Sequence, residues 1–90
     1  MARIFLGIGS NQGNRLQNIY LALSALCETG EISVARVAPI IETAPIGGPP
    51  QQNYLNTVSC ANTNLNPYLL LNCLKIIEKR LGRVMAGPRW

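Results

Sequence analysis

The sequence predicts an α+β fold in which two helices cover one face of an antiparallel sheet. Three observations carry this. Two stretches repeat their apolar residues at helical spacing, others alternate or concentrate β-branched residues, and their order along the chain is strand, helix, strand, strand, helix.

Ile4-Phe5-Leu6-Gly7-Ile8 is an apolar run that stops in the turn Gly9-Ser10-Asn11-Gln12-Gly13-Asn14, so it reads as a buried strand delivered to a tight turn. Gly7, Gly9 and Gly13 have the spacing G-x-G-x-x-x-G, which suits either a phosphate cradle at a helix N-terminus or a plain steric turn. From the cap Asn14 onward, Leu16, Ile19, Tyr20, Leu23, Leu26 and Cys27 share one helical face, and Gly30 is placed to end the helix. Residues 31–43 are expected as one strand, with a bulge or edge position around 36–39 to accommodate Pro39. Residues 44–53, APIGGPPQQN, hold three prolines and two glycines and are expected as a stiffened loop suited to holding a ligand.

Tyr54 to Thr63 is a strand with Tyr54, Asn56, Val58 and Cys60 on one face and Leu55, Thr57, Ser59 and Ala61 on the other. A tyrosine beside an amide suits a flat hydrogen-bonding ring, and a structural asparagine at a strand start is the plainer alternative. Asn66-Pro67 opens a second helix as N-cap and N1. Leu70, Leu74, Ile77 and Leu81 form its core face, and Gly82 closes it. These are five of the six elements of a β-α-β-β-α-β split unit, the ferredoxin-like arrangement, with the C-terminal strand missing.

Ninety residues with 48% hydrophobic and 13% charged side chains make one small globular domain and exclude a disordered chain. The net charge of +4 is concentrated in Lys75, Lys79, Arg80, Arg83 and Arg89, which suggests an anionic partner near the C-terminus. Three cysteines without a CxxC or any histidine point to buried thiols in a reducing cytoplasmic compartment. No apolar run approaches the length of about 18 residues that a membrane span requires. All four acidic residues are glutamates, Glu28, Glu31, Glu42 and Glu78, and no spacing among them suggests a metal site.

Ile8-Gly9-Ser10-Asn11, then Glu42-Thr43-Ala44-Pro45-Ile46-Gly47, then Tyr54-Leu55-Asn56, then Gly82-Arg83 with Arg89-Trp90 form an ordered series over almost the whole chain. The series resembles the N-terminal part of the 6-hydroxymethyl-7,8-dihydropterin pyrophosphokinases of folate biosynthesis. The resemblance implies transfer of diphosphate from ATP to the pterin hydroxymethyl oxygen, with Mg²⁺ assisting. It places Thr43, Pro45, Ile46, Tyr54, Asn56 and Trp90 around the pterin. Arg83 and Arg89 then face the ATP phosphates as the catalytic arginines, Trp90 sits on a mobile loop that closes over both substrates, and Glu78 borders the adenine. It also makes Gly9, Ser10 and Asn11 the floor between the two substrates.

Departures accompany the matches. Met85 stands where many relatives carry a basic residue, and Gly87-Pro88-Arg89 lets Arg89 correspond to either of two family arginines. The family's paired Mg²⁺-binding aspartates follow Trp90, together with a second pterin-stacking aromatic. Residues 1–90 are therefore expected to be a truncated pterin pyrophosphokinase-like domain, weakly active or inactive, with an open sheet edge that favours self-association. Three other functions compete. A dinucleotide-binding βαβ fragment would need an acid about 20 positions after the glycines, and Glu42 is too far along. A nucleic-acid binder would need an aromatic-rich central strand, and only Tyr54 is in place. A non-enzymatic pterin- or nucleotide-binding remnant would show affinity without turnover.

Overall fold

The structure is a computed structural model that describes residues 1–81 and the backbone of residues 85–89. Strand β1 (Ala2–Ser10) leads into α1 (Arg15–Glu28), β2 (Ile32–Val37), β3 (Ile41–Thr43), β4 (Tyr54–Thr63), α2 (Pro67–Leu81) and β5 (Met85–Arg89). All pairings are antiparallel, in the order β2-β4-β1-β5, with β3 following β2 along the same side of β4. The α+β, ferredoxin-like arrangement of the sequence reading is the one found.

Two details of that reading are corrected. The closing strand expected to be missing is supplied by Met85–Arg89, which pairs with β1 through Phe5–Arg89, Leu6–Pro88 and Ile8–Met85. Proline in this segment masked it, although a proline is tolerated on an edge strand. The single strand expected over residues 31–43 is two strands, because Pro39 has no N–H to give the ladder. At the break the chain is still held to β4: Ala38 N donates to Val58 O at 2.9 Å, and Thr57 Oγ1 donates to Ala38 O at 2.7 Å. A register shift lies between Val34 and Arg36, just before the 36–39 stretch where a bulge or edge position was expected.

The core lies between the helices and one sheet face. Ile4, Leu6 and Ile8 of β1 and Ala61 of β4 meet Ile19, Ala22 and Leu26 of α1 and Leu70, Leu74 and Ile77 of α2. The α2 face matches its heptad-like spacing. The α1 face is turned relative to the expected one: Leu16, Tyr20 and Cys27 are exposed, while Ala22 is fully buried. A small side chain there lets the helix approach the sheet closely, a gain in dispersion contact that hydrophobic spacing alone does not reveal.

The opposite sheet face carries Phe5 and Val58, each 44% exposed, and Gly9 and Asn56. No helix among the described residues is long and apolar enough to cross a membrane.

Candidate functional site

At one end of the sheet, the last residues of β1 and β3 meet the first residues of β4. Gly9 is opposite Asn56 on one side of β4, and Ile41 is opposite Asn56 on the other. Two pairs further along, Thr43 is opposite Tyr54. Side chains alternate along a strand, so Tyr54, Asn56 and Thr43 rise from the same face as Gly9. The buried Thr57 and Ser59 take the helix-covered face.

Asn56 is the fixed point of this cluster. Its Nδ2 donates to Thr43 Oγ1 at 2.7 Å. Its Oδ1 lies over Gly9, where a Cβ would approach within 2.7 Å. Glycine at position 9 thus leaves room for the amide, which a side chain there would force to shift. With Nδ2 committed to Thr43, the Asn56 oxygen remains as an acceptor. Thr43 Oγ1 accepts that bond and keeps its own O–H to donate. The cluster offers a neighbouring acceptor and donor beside the ring of Tyr54.

The glycine turn is built to carry this arrangement. Asn14 caps α1 by accepting from Gln17 N at 3.1 Å, and Asn18 Nδ2 donates to Ser10 Oγ at 3.0 Å and to Gln12 O at 2.9 Å. Asn11 Nδ2 reaches across to Gln51 Oε1 at 2.6 Å, joining the turn to the proline loop. From the first turn of α1, Arg15 Nη1 donates to Glu42 Oε2 at 2.9 Å and to Asn53 O at 2.8 Å.

The sequence-predicted residues fall into three groups. Thr43, Tyr54 and Asn56 are brought together, with half-buried Pro45 two residues beyond Thr43. Ile46 extends into solvent at 103% exposure and lies outside the cluster. Glu78 is on α2 in the helix layer, behind the face that carries Asn56. Arg89 ends β5 opposite Phe5, four residues along β1 from Gly9, or about 13 Å of strand. Arg83 and Trp90 lie outside the described residues.

Arg15, Gln51 and Asn53 were not singled out by the sequence. One signal for Arg15 existed: it is a cation at the positive end of a helix whose first turn has no acid, a placement that calls for an acceptor elsewhere. The dinucleotide-binding alternative is overturned by topology. It needs β2 beside β1 in parallel, whereas β4 lies between them and every pairing is antiparallel.

Comparison with known proteins shows the family. The family model described as 7,8-dihydro-6-hydroxymethylpterin-pyrophosphokinase (HPPK) matches residues 5–90. The folate synthesis bifunctional protein of Arabidopsis thaliana is 40% identical over 87 residues, covering 97% of this chain and 18% of the relative. The 2-amino-4-hydroxy-6-hydroxymethyldihydropteridine pyrophosphokinases of Aquifex aeolicus and Bacillus subtilis are 40% and 36% identical, over 99% and 94% of this chain. The chain spans about half the length of these bacterial relatives, 56% and 53% respectively.

Proposed function

The chain belongs to the 7,8-dihydro-6-hydroxymethylpterin-pyrophosphokinase family, and from that membership we propose that its site serves diphosphate transfer from ATP to 6-hydroxymethyl-7,8-dihydropterin in folate biosynthesis. In this reaction the hydroxymethyl oxygen attacks the β-phosphorus. The bond from that phosphorus to the oxygen bridging it to the α-phosphorus breaks, AMP leaves with that oxygen, and the hydroxyl proton passes to solvent. The protein's part is chiefly to align the two substrates and to neutralise phosphate charge.

One observation carries the reading: the Asn56 amide is held by Thr43 over a glycine, on the same face as Tyr54. A pterin presents an N–H donor and a carbonyl acceptor side by side on one edge of a flat ring. The Asn56 oxygen and the Thr43 hydroxyl supply the complementary acceptor and donor, and Tyr54 supplies an aromatic surface for stacking. Pro45 borders the pterin from the loop, Ile46 stands in solvent outside the cluster, and the family resemblance assigns Trp90 the closing role. Arg83 and Arg89 grip the phosphates, a task for which guanidinium donors are suited. Glu78, in the helix layer behind the face that carries Asn56, has no part in this reading.

Mg²⁺, which the family resemblance implies, does not fit the residues present. Among the described residues no three of His, Cys, Asp and Glu gather as a metal site, the only acidic residues in the sequence are glutamates, and Glu42 is engaged by Arg15. The chemistry ascribed to this chain is therefore binding and alignment.

Three free cysteines support a reducing, cytoplasmic setting. The outer edge of β2 supports self-association of the polypeptide.

Titration of the protein with 6-hydroxymethylpterin, followed by the ligand's fluorescence, tests the reading. Saturable binding that is lost in Asn56→Ala supports it, and equal binding by both proteins overturns it.

A further inference from the structure

The ten-residue loop 44–53 has Gly47 and Gly48 in the left-handed region, with φ of 71° and 73°, so its prolines stiffen it only in part. What fixes it lies outside it. Glu42 immediately precedes Thr43 at one stem, and Asn53 immediately precedes Tyr54 at the other. A single nitrogen, Arg15 Nη1, bonds to both, to the carboxylate at 2.9 Å and to the backbone carbonyl at 2.8 Å.

The clamp works from behind the site. Glu42 is opposite Leu55, and Leu55 packs against the core on the helix-covered face, whereas Thr43, Tyr54 and Asn56 rise from the other face. Arg15 therefore has no place against a ligand stacked on Tyr54. Its cationic position at the start of α1 is unfavourable to the helix itself, which is the mark of a residue placed for another purpose.

We infer that Arg15 is a positioning residue for the pterin site: by tying Glu42 to the Asn53 carbonyl it braces the two stems beside the Thr43–Tyr54 strand pair and holds the loop in a binding-ready conformation. This rests on the pterin reading given above. Preorganisation of this kind appears in affinity, because an unclamped loop must be ordered when the ligand binds. The ion pair is partly exposed, with side chains 26% and 51% accessible, so global stability depends on it little.

The test pairs two measurements on the unaltered protein, Arg15→Ala, Arg15→Lys and Glu42→Ala. Hydrogen exchange, read on peptides spanning residues 44–53, reports the clamp without any ligand. Fluorescence titration with 6-hydroxymethylpterin, beside titration with ATP, reports its consequence. The expected result is faster exchange confined to the loop in Arg15→Ala and Glu42→Ala, about tenfold weaker pterin binding, unchanged ATP binding, and partial recovery in Arg15→Lys, which keeps the charge but not the planar fork. Unchanged loop exchange in a folded Arg15→Ala overturns the clamp. Altered exchange with unaltered pterin affinity overturns its role in binding. Absence of pterin binding by the unaltered protein removes the site reading and the role with it, while the exchange data still decide whether the clamp exists.

Discussion

Gly9 and Asn56 stand opposite one another across the β1–β4 pairing, so closely that a Cβ on Gly9 would lie 2.7 Å from Asn56 Oδ1. Gly9→Ala therefore has two opposed effects. Replacing a strand glycine by alanine lowers the entropy of the unfolded chain and stabilises by roughly 0.5–1 kcal/mol. Displacing the Asn56 amide breaks its bond to Thr43, at a cost of about 1 kcal/mol. The melting temperature is expected to change little, while pterin affinity falls about tenfold, the equivalent of 1.4 kcal/mol. Calorimetry and fluorescence titration of the same preparation separate the two, and unaltered affinity would show that the amide has room to spare.

Thr43 is exposed, so its hydroxyl matters for what it orients more than for what it stabilises. Thr43→Val keeps the shape and removes both the acceptor for Asn56 Nδ2 and the donor left over for a ligand. Water replaces the lost bond at this exposed position, and stability is expected to fall by less than about 1 kcal/mol. Pterin affinity is expected to drop about tenfold in Thr43→Val and to stay within about twofold in Thr43→Ser, which retains the hydroxyl. Equal affinities for valine and serine would remove the hydroxyl from the recognition scheme.

Which parts of this site were legible in the sequence follows from the range of the forces involved. Strand β4 and helix α2 were readable because their signals are local: alternation from Tyr54 to Thr63, and the Asn66 cap with Pro67 at N1. Thr43, Tyr54 and Asn56 were named in advance, but only register places Thr43 diagonally across from Asn56. The burial of Ala22 and the exposure of Tyr20 depend on how closely α1 approaches the sheet, which no helical period encodes. Arg15 was missed because its two acceptors are 27 and 38 residues away in the chain.

Ser59 is fully buried in the centre of β4, and among the described residues its Oγ has no hydrogen-bond partner. Its desolvation is uncompensated, a penalty of about 1–3 kcal/mol for an unsatisfied hydroxyl. Ser59→Ala removes that oxygen at little cost in volume. Unfolding is expected to move up by about 1 kcal/mol, or about 4–8 °C in melting temperature for a domain of this size. A lower melting temperature in Ser59→Ala would mean that the hydroxyl is satisfied in solution.

Cys73, half-buried on α2, has a thiol pushed above its ordinary range, first by burial and second by the negative charge of Glu31. Both causes disfavour the thiolate. The folded-state pKa is therefore higher than the unfolded value of about 8.5. The stability this contributes is present in full below that unfolded value and is lost as pH rises through the folded one. Alkylation by iodoacetamide, resolved by peptide mass, is expected to label exposed Cys27 well before Cys73 at pH 8, because the thiolate is the reacting species. Glu31→Gln removes only the smaller cause, so Cys73 labelling is expected to quicken in that variant and still lag behind Cys27. If Glu31→Gln brought Cys73 level with Cys27, the carboxylate and not burial would be the main source of its protection.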